Sequence, residues 1–337
     1  MKKRMLSLLL ILCMAVTLMP TAAFAAEETG GTETTANEPV EVATLQELQD
    51  ALNAAADANS GDTTITLTDD ITVGTGETWT SVYVDGYNGA GVVTLNGGGH
   101  TITGLNAPLF AGGFGGESGI VINDLTLVAV SLNDTGSKYA GTGFGAFICA
   151  VDSMPTISLT ECHVKGGTIT STSGARVGGL IGYTAGYNKQ DDGPVDTCVT
   201  LKNCSVSGLT ITANGSVGGL IGHAGANPAT YHTITDCTVT GCALECTESN
   251  KDWRVGDVVG TANVGQVTID QATVDNTKDN NTRKQDTATT SAIENGLVGR
   301  AVLKGNTADS NTGILIVAGK VTAAEGTVAL VISAQGN

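Results

Sequence analysis

The chain has 337 residues and a net charge of −17, and it is rich in glycine, with 46 residues, but poor in aromatic residues, at 4%. This acidity argues against nucleic acid as a partner, because binding a phosphate backbone needs a basic face. Many Gly, Thr, Val and Ile residues, with few of the residues that long helices use, favour a β fold.

The first 25 residues have the pattern of a secretory signal peptide. Lys2, Lys3 and Arg4 form a charged start, an apolar run follows from Leu6 to Met19, and Ala23–Ala25 supplies small residues for cleavage. The whole chain has 16 basic residues, so cleavage leaves 13 against 33 acidic ones, a net charge of −20. Beyond this segment no apolar run reaches the roughly 18 residues of a membrane span. We therefore expect an exported bacterial protein, secreted or on the cell surface, with no membrane span after signal cleavage.

Two short segments precede the main part of the chain. Residues 26–42 are rich in Thr, Glu and Gly, with almost no large apolar residue, which predicts a disordered leader. Residues 43–60 are predicted to hold a capping helix, because Thr44 and Glu47 form a capping-box pattern and the leucines that follow fall on one face. A helix in this place covers the apolar end of an array, which would otherwise recruit another chain.

Residues 61–337 contain an internal repeat. The motif VGGLIG at 177–182 returns almost unchanged at 217–222, and weaker copies end at Gly260 and Gly299. The final glycines of these four copies are 38 to 40 residues apart. A repeat of this length indicates a stacked array, because no single unit can bury its own apolar face.

The segments between the glycine motifs alternate aliphatic and polar residues. In Val199–Val206, for example, a strand reaches a polar pair, bends and resumes. One column of side chains recurs at this bend: Leu125, Cys162, Cys204, Cys237 and Ala272. Strands that turn without reversing, with aliphatics on one side, indicate a coiled parallel sheet whose inward residues stack on their equivalents. We expect the glycines to allow tight turns. Each repeat is either one large coil with long loops or two short coils, and we favour two.

These motifs resemble those of known families. The VGGLIG units followed by Asn203–Gly208 are similar to the GLUG-type repeats of bacterial surface proteins. The opening helix and the runs Thr64–Ile71 and Leu95–Thr103 resemble the start of right-handed parallel β-helices of the pectate-lyase-like superfamily. The resemblance covers most of residues 43–318 and implies an all-β fold, a single-stranded right-handed parallel β-helix with a short N-terminal capping α-helix. It implies little about function, because this fold carries lyases, hydrolases, adhesins and inert stalks alike.

The catalytic motifs of that superfamily are poorly matched. Its hydrolases resemble one another in four short motifs, of which this chain offers only the acidic pair Asp191 and Asp192. A glycoside hydrolase needs two carboxylates on either side of a bond, whereas adjacent side chains on an extended loop point apart. We assign no catalytic residue, no metal ligand and no cofactor. Whether the chain is an enzyme stays open; we favour a structural or adhesive module, and a polysaccharide lyase or glycoside hydrolase on this scaffold is the alternative.

Two polar loops are the candidates for ligand binding. One begins at Tyr183 and ends at Gly193, and the other runs from Glu248 to Arg254. Insertions in repeat arrays collect on one face, where binding occurs. The predicted glycan-binding residues are Tyr183, Tyr187, Asp191, Asp192, Trp253 and Arg254. The expected partner is therefore an extracellular glycan or a host or cell-surface component.

Seven cysteines remain after signal cleavage. Cys162, Cys204 and Cys237 share one column and are expected to be small buried hydrophobic residues. A zinc site is the alternative for them, although no pair has the spacing of a C-x-x-C motif. One local disulfide is left open among the three cysteines Cys198, Cys242 and Cys246.

Overall fold

The computed structural model of the protein describes residues 38–57, 59–136, 142–186, 188–189, 193–194, 196–225, 230–247, 255–262, 265–275, 281–283, 296–301, 313–318 and 322–323. In these ranges the chain is mostly β-structure, with one α-helix. No helix among them is both long enough and apolar enough to cross a membrane.

Helix α1 spans Leu45–Ala56, and a 3-10 turn spans Gly86–Asn88. The strands, in chain order, are β1 Val40–Val42, β2 Gly61–Leu67, β3 Ile71–Thr72, β4 Val82–Asp85, β5 Ala90–Asn96, β6 Thr101–Thr103, β7 Phe110–Phe114, β8 Gly119–Asp134, β9 Gly143–Gly145, β10 Ile148–Asp152, β11 Thr156–Ser171, β12 Arg176–Gly178, β13 Ile181–Ala185, β14 Asn188–Lys189, β15 Gly193–Pro194, β16 Thr197–Lys202, β17 Ser205–Ala213, β18 Val217–Gly218, β19 Ile221–Ala224, β20 Thr230–Thr235, β21 Thr238–Thr240, β22 Ala243–Cys246, β23 Val255–Ala262, β24 Gly265–Asp270, β25 Thr273–Asp275, β26 Asn281–Arg283, β27 Gly296–Ala301, β28 Gly313–Ala318 and β29 Thr322–Ala323.

Two long sheets run the length of the described chain. Sheet A has 17 strands and includes β2, β5, β8, β11, β16 and β20, whereas sheet B has 10 strands and includes β4, β7, β10, β13, β19 and β23. Their strands pair in parallel, and the chain passes from sheet A to sheet B and back in each coil. Parallel strands joined by such crossovers wind in a right-handed sense. The chain is therefore a single-stranded right-handed parallel β-helix, as predicted.

Each repeat forms one coil. In sheet A, Ile120 pairs with Ile157, Ile157 with Val199, Val199 with His232, and His232 with Val267. These partners are 33 to 42 residues apart, which is the repeat length itself. The expectation of two short coils per repeat is wrong. The polar bend in each repeat does not start a new coil, because the strand resumes beside the same neighbour in the same sheet.

The bend in sheet A is a column of residues with a left-handed backbone. Their φ angles lie between 50° and 55° in successive coils: Asp124, Glu161, Asn203, Asp236 and Gln271. Asn and Asp adopt this conformation more readily than other residues with a side chain. The backbone N–H of Asn203 donates to Thr235 O in the next coil at 3.1 Å, so the bend also keeps the ladder intact.

The core consists of vertical files of aliphatic side chains. In sheet B, Ile148, Ile181, Ile221 and Val259 pair in that order, and all four are fully buried. Each coil therefore rests its apolar face on that of the coil before it, which is the contact that stabilises a solenoid.

Helix α1 closes the first coils. Thr44 Oγ1 accepts a hydrogen bond from Glu47 N at 3.2 Å, and the Glu47 carboxylate accepts from Thr44 N at 3.1 Å, which confirms the capping box. Leu48 and Leu52 are fully buried, and the helix packs against β2, β4 and β5. The helix thus covers apolar side chains of the first coils.

The segment predicted to be a disordered leader, residues 26–42, ends in a strand. Within it, β1 pairs in parallel with β2, with Val40 opposite Ile65 and Val42 opposite Leu67. Val42 is buried. The alternation of only three residues is too short to stand out in the sequence, yet it is enough to extend sheet A by one strand.

The cysteine column lies inside the core. Cys162, Cys204 and Cys237 are buried, as expected, and Cys162 Sγ donates to Ile122 O at 3.3 Å in the preceding coil. Burial, with the hydrogen bond to the Cys204 thiol, raises the pKa of the Cys162 thiol. Among the described residues, which include all seven cysteines that follow the signal segment, no disulfide forms and no group of side chains is placed to hold a metal ion.

The motif glycines are required by close backbone approach. Gly218 does not have a positive φ, but a Cβ placed on it would strike the carbonyl oxygen of Ile221 in its own turn. The same Cβ would lie 2.6 Å from Gly260 N in the next coil. The turn is therefore tight because the backbone of its own coil and of the neighbouring coil closes over a residue without a side chain.

One polar side chain occupies the aliphatic file of sheet A. His232 lies between Val199 and Val267, is almost fully buried, and its Nδ1 lies 3.2 Å from Gln266 O. A carbonyl only accepts, so Nδ1 carries the proton, and Nε2 accepts from the Thr184 hydroxyl at 2.6 Å. This neutral tautomer satisfies both ring nitrogens, and burial lowers the pKa of His232 to about 4.

The first prediction concerns the glycine motif. Gly218→Ala should lower the free energy of unfolding by about 3 kcal/mol, because the new methyl group overlaps backbone atoms. The matched control is Gly166→Ala, where φ is 69°, no atom lies within 4 Å, and the equivalent residue one coil earlier is Ala129 with φ 50°. That change should cost about 1 kcal/mol. Equal losses in urea denaturation would contradict the close-approach explanation.

The second prediction concerns pH. The folded state binds a proton at His232 only near pH 4, whereas the unfolded chain does so near its ordinary value, about 6.5. The contribution of His232 to the free energy of unfolding is therefore fully present above pH 6.5. It is lost as the pH falls towards 4, by about 3 kcal/mol in total. His232→Val matches the file neighbours Val199 and Val267 and removes the titrating group.

The check is the free energy of unfolding of both proteins at several pH values. The wild type should lose about 3 kcal/mol relative to the valine variant between pH 7 and pH 4. A difference that does not change with pH would show that His232 is not buried as a neutral ring.

The third prediction is a thiol count. Cys198 is exposed, whereas the other six cysteines that follow the signal segment are buried. In mildly alkaline buffer the native mature chain should therefore react with Ellman's reagent at one thiol, and the denatured chain at seven. Cys198→Ser should abolish the native reaction; a second reactive thiol in the native state would contradict the packing of the cysteine column.

Candidate functional site

The structure describes one of the six predicted glycan-binding residues, Tyr183, which lies in β13. The predicted loop therefore starts inside a strand, and it also carries the short antiparallel pair of β14 and β15. The other five predicted residues lie outside the described part of the chain and stay predictions: Tyr187, Asp191, Asp192, Trp253 and Arg254. The described part of the site consists of Tyr183 and the residues around it.

Tyr183 points away from the core, because the next side chain, Thr184, points inward and bonds to His232. Tyr183 is half-buried, and two side chains contact its ring. The Arg176 guanidinium carbon lies 5.2 Å from the ring centroid, and the His223 ring centroid lies 5.3 Å from it. Cation–π attraction at such a site contributes about 0.5–1 kcal/mol. The ring of Tyr183 is thus packed against its neighbours and is not freely exposed for stacking on a ligand.

Burial and charge shift the ionisation of this stack. Burial raises the pKa of Tyr183, and the positive charge of Arg176 offsets part of the rise, whereas Asp152 adds to it. Burial lowers the pKa of Arg176, and Tyr183 offsets part of that change. Arginine nevertheless keeps its charge in proteins. A neutral phenol beside a fixed positive charge is therefore presented at this point of sheet B.

Tyr183 belongs to an outward column that crosses the first coils of sheet B. Tyr83 in β4 pairs with Gly112, Gly112 with Ala150, Ala150 with Tyr183, and Tyr183 with His223. Three strand spacings of ~4.8 Å separate the backbones of Tyr83 and Tyr183, about 14 Å in all. The two positions between the tyrosines hold only glycine and alanine, so side chains there do not obstruct the surface.

A second outward column lies two residues further along the same strands. Asp85 pairs with Phe114, and Phe114 with Asp152, and all three are partly exposed. Residues two apart on a strand face the same side, so this column lies beside the first. Burial raises the pKa of Asp152, and a hydrogen bond from the Ser153 hydroxyl, at 2.9 Å, opposes the rise. Asp85 has another task, because it caps the 3-10 turn and accepts from Asn88 Nδ2 at 2.6 Å.

Aromatic side chains lie close together at the end of the two columns that is nearest to strand β4. The Tyr87 ring lies 4.7 Å from that of Phe114, centroid to centroid, and the side chains of Tyr83 and Tyr87 are 50% and 49% exposed. Partial burial raises the pKa of Tyr83, and Asp85, Asp152 and Tyr87 lie near enough to raise it further. These five residues, here named the Tyr83 cluster, are Tyr83, Asp85, Tyr87, Phe114 and Asp152.

The sequence did not point to the Tyr83 cluster. Its strand β4 carries no copy of the glycine motif, so Tyr83 was not aligned with Tyr183. The available signal was the alternation of Val82, Tyr83, Val84 and Asp85, in which the two valines are buried. That pattern predicts a tyrosine and a carboxylate on one exposed face.

The chemistry of the Tyr83 cluster is that of a binding surface. Half-exposed tyrosine rings offer flat apolar faces for the C–H faces of a sugar ring, and their hydroxyls donate and accept hydrogen bonds. Carboxylates accept hydrogen bonds from sugar hydroxyls and attract cations. Tyr83, Asp85, Phe114 and Asp152 stand on paired strands, so the ladder fixes the spacing of their backbones, whereas Tyr87 lies in the 3-10 turn and packs on Phe114.

No protein-family model matches the chain, and no curated protein matches it. The crystal structure of a candidate immunoglobulin A1 protease from Bacteroides ovatus is similar, with a TM-score of 0.53 and 14% identity over 84% of this chain and 84% of that one. An IgA1 protease gives a TM-score of 0.41 at 14% identity, with 88% of this chain covering 23% of that protein. A pectate lyase variant from Xanthomonas campestris gives 0.24 at 13% identity, over 88% of this chain and 82% of that one.

The similarity to the Bacteroides ovatus structure covers most of both chains and concerns the fold alone, because identity is low. It agrees with the parallel ladder of sheets A and B. That the VGGLIG units are GLUG-type repeats stays a prediction. The chain is a parallel β-helix, and in its described part the outward face of sheet B carries exposed tyrosines beside carboxylates.

Proposed function

We propose that the protein is a secreted or cell-surface bacterial β-helix module with a structural and adhesive role, and that it binds glycans through the outward face of sheet B. The observation that carries the proposal is the Tyr83 cluster. Two tyrosines, each about half exposed, lie close to two carboxylates on sheet B, Tyr83 in strand β4 and Tyr87 in the 3-10 turn that follows it. Among the described residues, the exposed aromatic side chains are Tyr83, Tyr87 and Tyr231, so two of the three belong to this cluster.

The charged, apolar and small-residue pattern of residues 1–25 supports export. An exported array meets the glycans of its own cell envelope or of a host, which is the class of partner expected from the sequence. The alternative, a polysaccharide lyase or glycoside hydrolase, remains a possible result of the assay below.

The sheet reduces the conformational entropy that is lost when a ligand binds. Tyr83 and Asp85 are fixed by the pairing of β4 with β7, and Phe114 and Asp152 by the pairing of β7 with β10. Side chains on paired strands lose little freedom when a ligand arrives, so more of the contact energy appears as affinity. The predicted loop residues, among them Tyr187 and Trp253, remain part of the proposed glycan-binding set on the grounds of sequence alone.

The fourth prediction tests glycan binding. The purified mature chain should be retained on a panel of immobilised bacterial and host glycans, without release of soluble sugar. Tyr83→Ala combined with Tyr87→Ala should weaken retention at least about tenfold, because two aromatic faces are lost. Both side chains are half exposed, so the fold should be preserved, as circular dichroism would verify.

The matched control is Tyr231→Ala, which removes a tyrosine of similar exposure, 42%, from sheet A. Its retention should equal that of the wild type. Equal weakening by both changes, or no retention at all, would contradict the proposal, and sugar release by the wild type would favour the enzyme alternative.

A further inference from the structure

The charges of the Tyr83 cluster are unbalanced. Asp85 and Asp152 stand two coils apart in one column. In the described part of the chain neither carboxylate takes part in a salt bridge; the pair that does form joins His100 to Asp70 in sheet A. Arg176, the nearest described arginine on this face, lies over the Tyr183 ring. Among the residues that the structure describes, no cation pairs with these two carboxylates, so this part of the surface is negatively charged.

The aromatic rings have the same electrostatic preference. Each ring of Tyr83, Tyr87 and Phe114 carries partial negative charge on its faces, which attracts a cation, most strongly when the site is partly desolvated. Two of these rings are about half exposed, and the Phe114 ring packs on Tyr87. Aromatic faces and carboxylates side by side form a favourable site for an ammonium group.

The same features disfavour an acidic ligand. A carboxylate-bearing sugar would meet Asp85 and Asp152 at short range, and the mature chain carries a net charge of −20. Like charges brought together in a partly buried site repel each other and weaken binding. The charge of the Tyr83 cluster therefore disfavours uronate polymers.

We propose that the Tyr83 cluster binds a glycan that carries free amino groups, with an ammonium group held between the carboxylates of Asp85 and Asp152 and against the rings of Tyr83 and Tyr87. This inference rests on the proposed function, that the face binds glycans, and adds the class of sugar. The sugar chain runs along the solenoid axis, because Tyr83 and Tyr183 stand in one column that follows this axis.

The test compares two ligands of equal length, an oligomer of β-1,4-linked glucosamine and its fully N-acetylated counterpart. Isothermal titration calorimetry is run in mildly acidic buffer in which the free amines are protonated. The free-amine oligomer should bind at least about tenfold more tightly than the acetylated one, and added salt should reduce its affinity more strongly. An oligogalacturonate of the same length should not bind.

Asp152→Asn should remove most of the preference for the free amine, because it deletes one carboxylate and keeps the shape of the side chain. Tyr83→Leu is a second variant, which keeps the apolar bulk but removes the aromatic face, and it should weaken binding of the free-amine oligomer. The matched control is Asp236→Asn, an exposed bend residue of sheet A whose equivalent one coil earlier is Asn203. This control should bind like the wild type.

The outcomes separate the two proposals. If neutral glycans are retained through Tyr83 and Tyr87 but acetylation makes no difference, the amino-sugar inference is overturned and the proposed function stands. If no glycan is retained, both fall. If a lysine peptide of equal charge binds as tightly as the sugar, the site recognises basic peptides and the inference is overturned as well.

Discussion

Parallel pairing in register between successive coils is the constraint on which the rest of this structure depends. Because Ile148, Ile181, Ile221 and Val259 are paired neighbours, an aliphatic side chain at one position favours an aliphatic side chain one coil later, with His232 as an exception in sheet A. The same rule brings outward residues together into columns. A chain that holds its core in this way has an ordered surface as a direct result.

Backbone packing explains most of the residues that recur. The motif glycines recur because the neighbouring coil approaches too closely for a Cβ, as at Gly218 and Gly260. The bend residues Glu161, Asn203 and Asp236 recur because the strand must pass through a left-handed conformation without leaving the sheet. Recurrence in this sequence therefore reports the needs of the backbone, and binding chemistry must be sought where the repeat is interrupted.

Local signals were sufficient for part of the fold. Thr44 and Glu47 predicted the capped helix because both partners of the capping box lie within one turn, and alternation predicted the strands and the buried cysteine column. The coil length was not predictable, because a left-handed bend such as that at Glu161 and a corner between two coils have the same pattern of polar residues in the sequence.

The Tyr83 cluster was missed for a related reason. Residues 100 positions apart, such as Tyr83 and Tyr183, are placed in one column only by counting register through Gly112 and Ala150, in coils of unequal length. Tyr183, predicted to begin a polar binding loop, lies in strand β13, and its contacts with Arg176 and His223 come from separate strands and are tertiary.

Asp85, Phe114 and Asp152 lie in three successive coils, so the distance between the two carboxylates can change only in steps of one coil. Duplicating or deleting one whole winding between β4 and β10 would move the two carboxylates apart or together by ~4.8 Å while leaving the packing of every remaining layer unchanged. Evolution can thus change the spacing of side chains on such a surface in fixed increments, by adding or removing whole coils, without altering any individual contact.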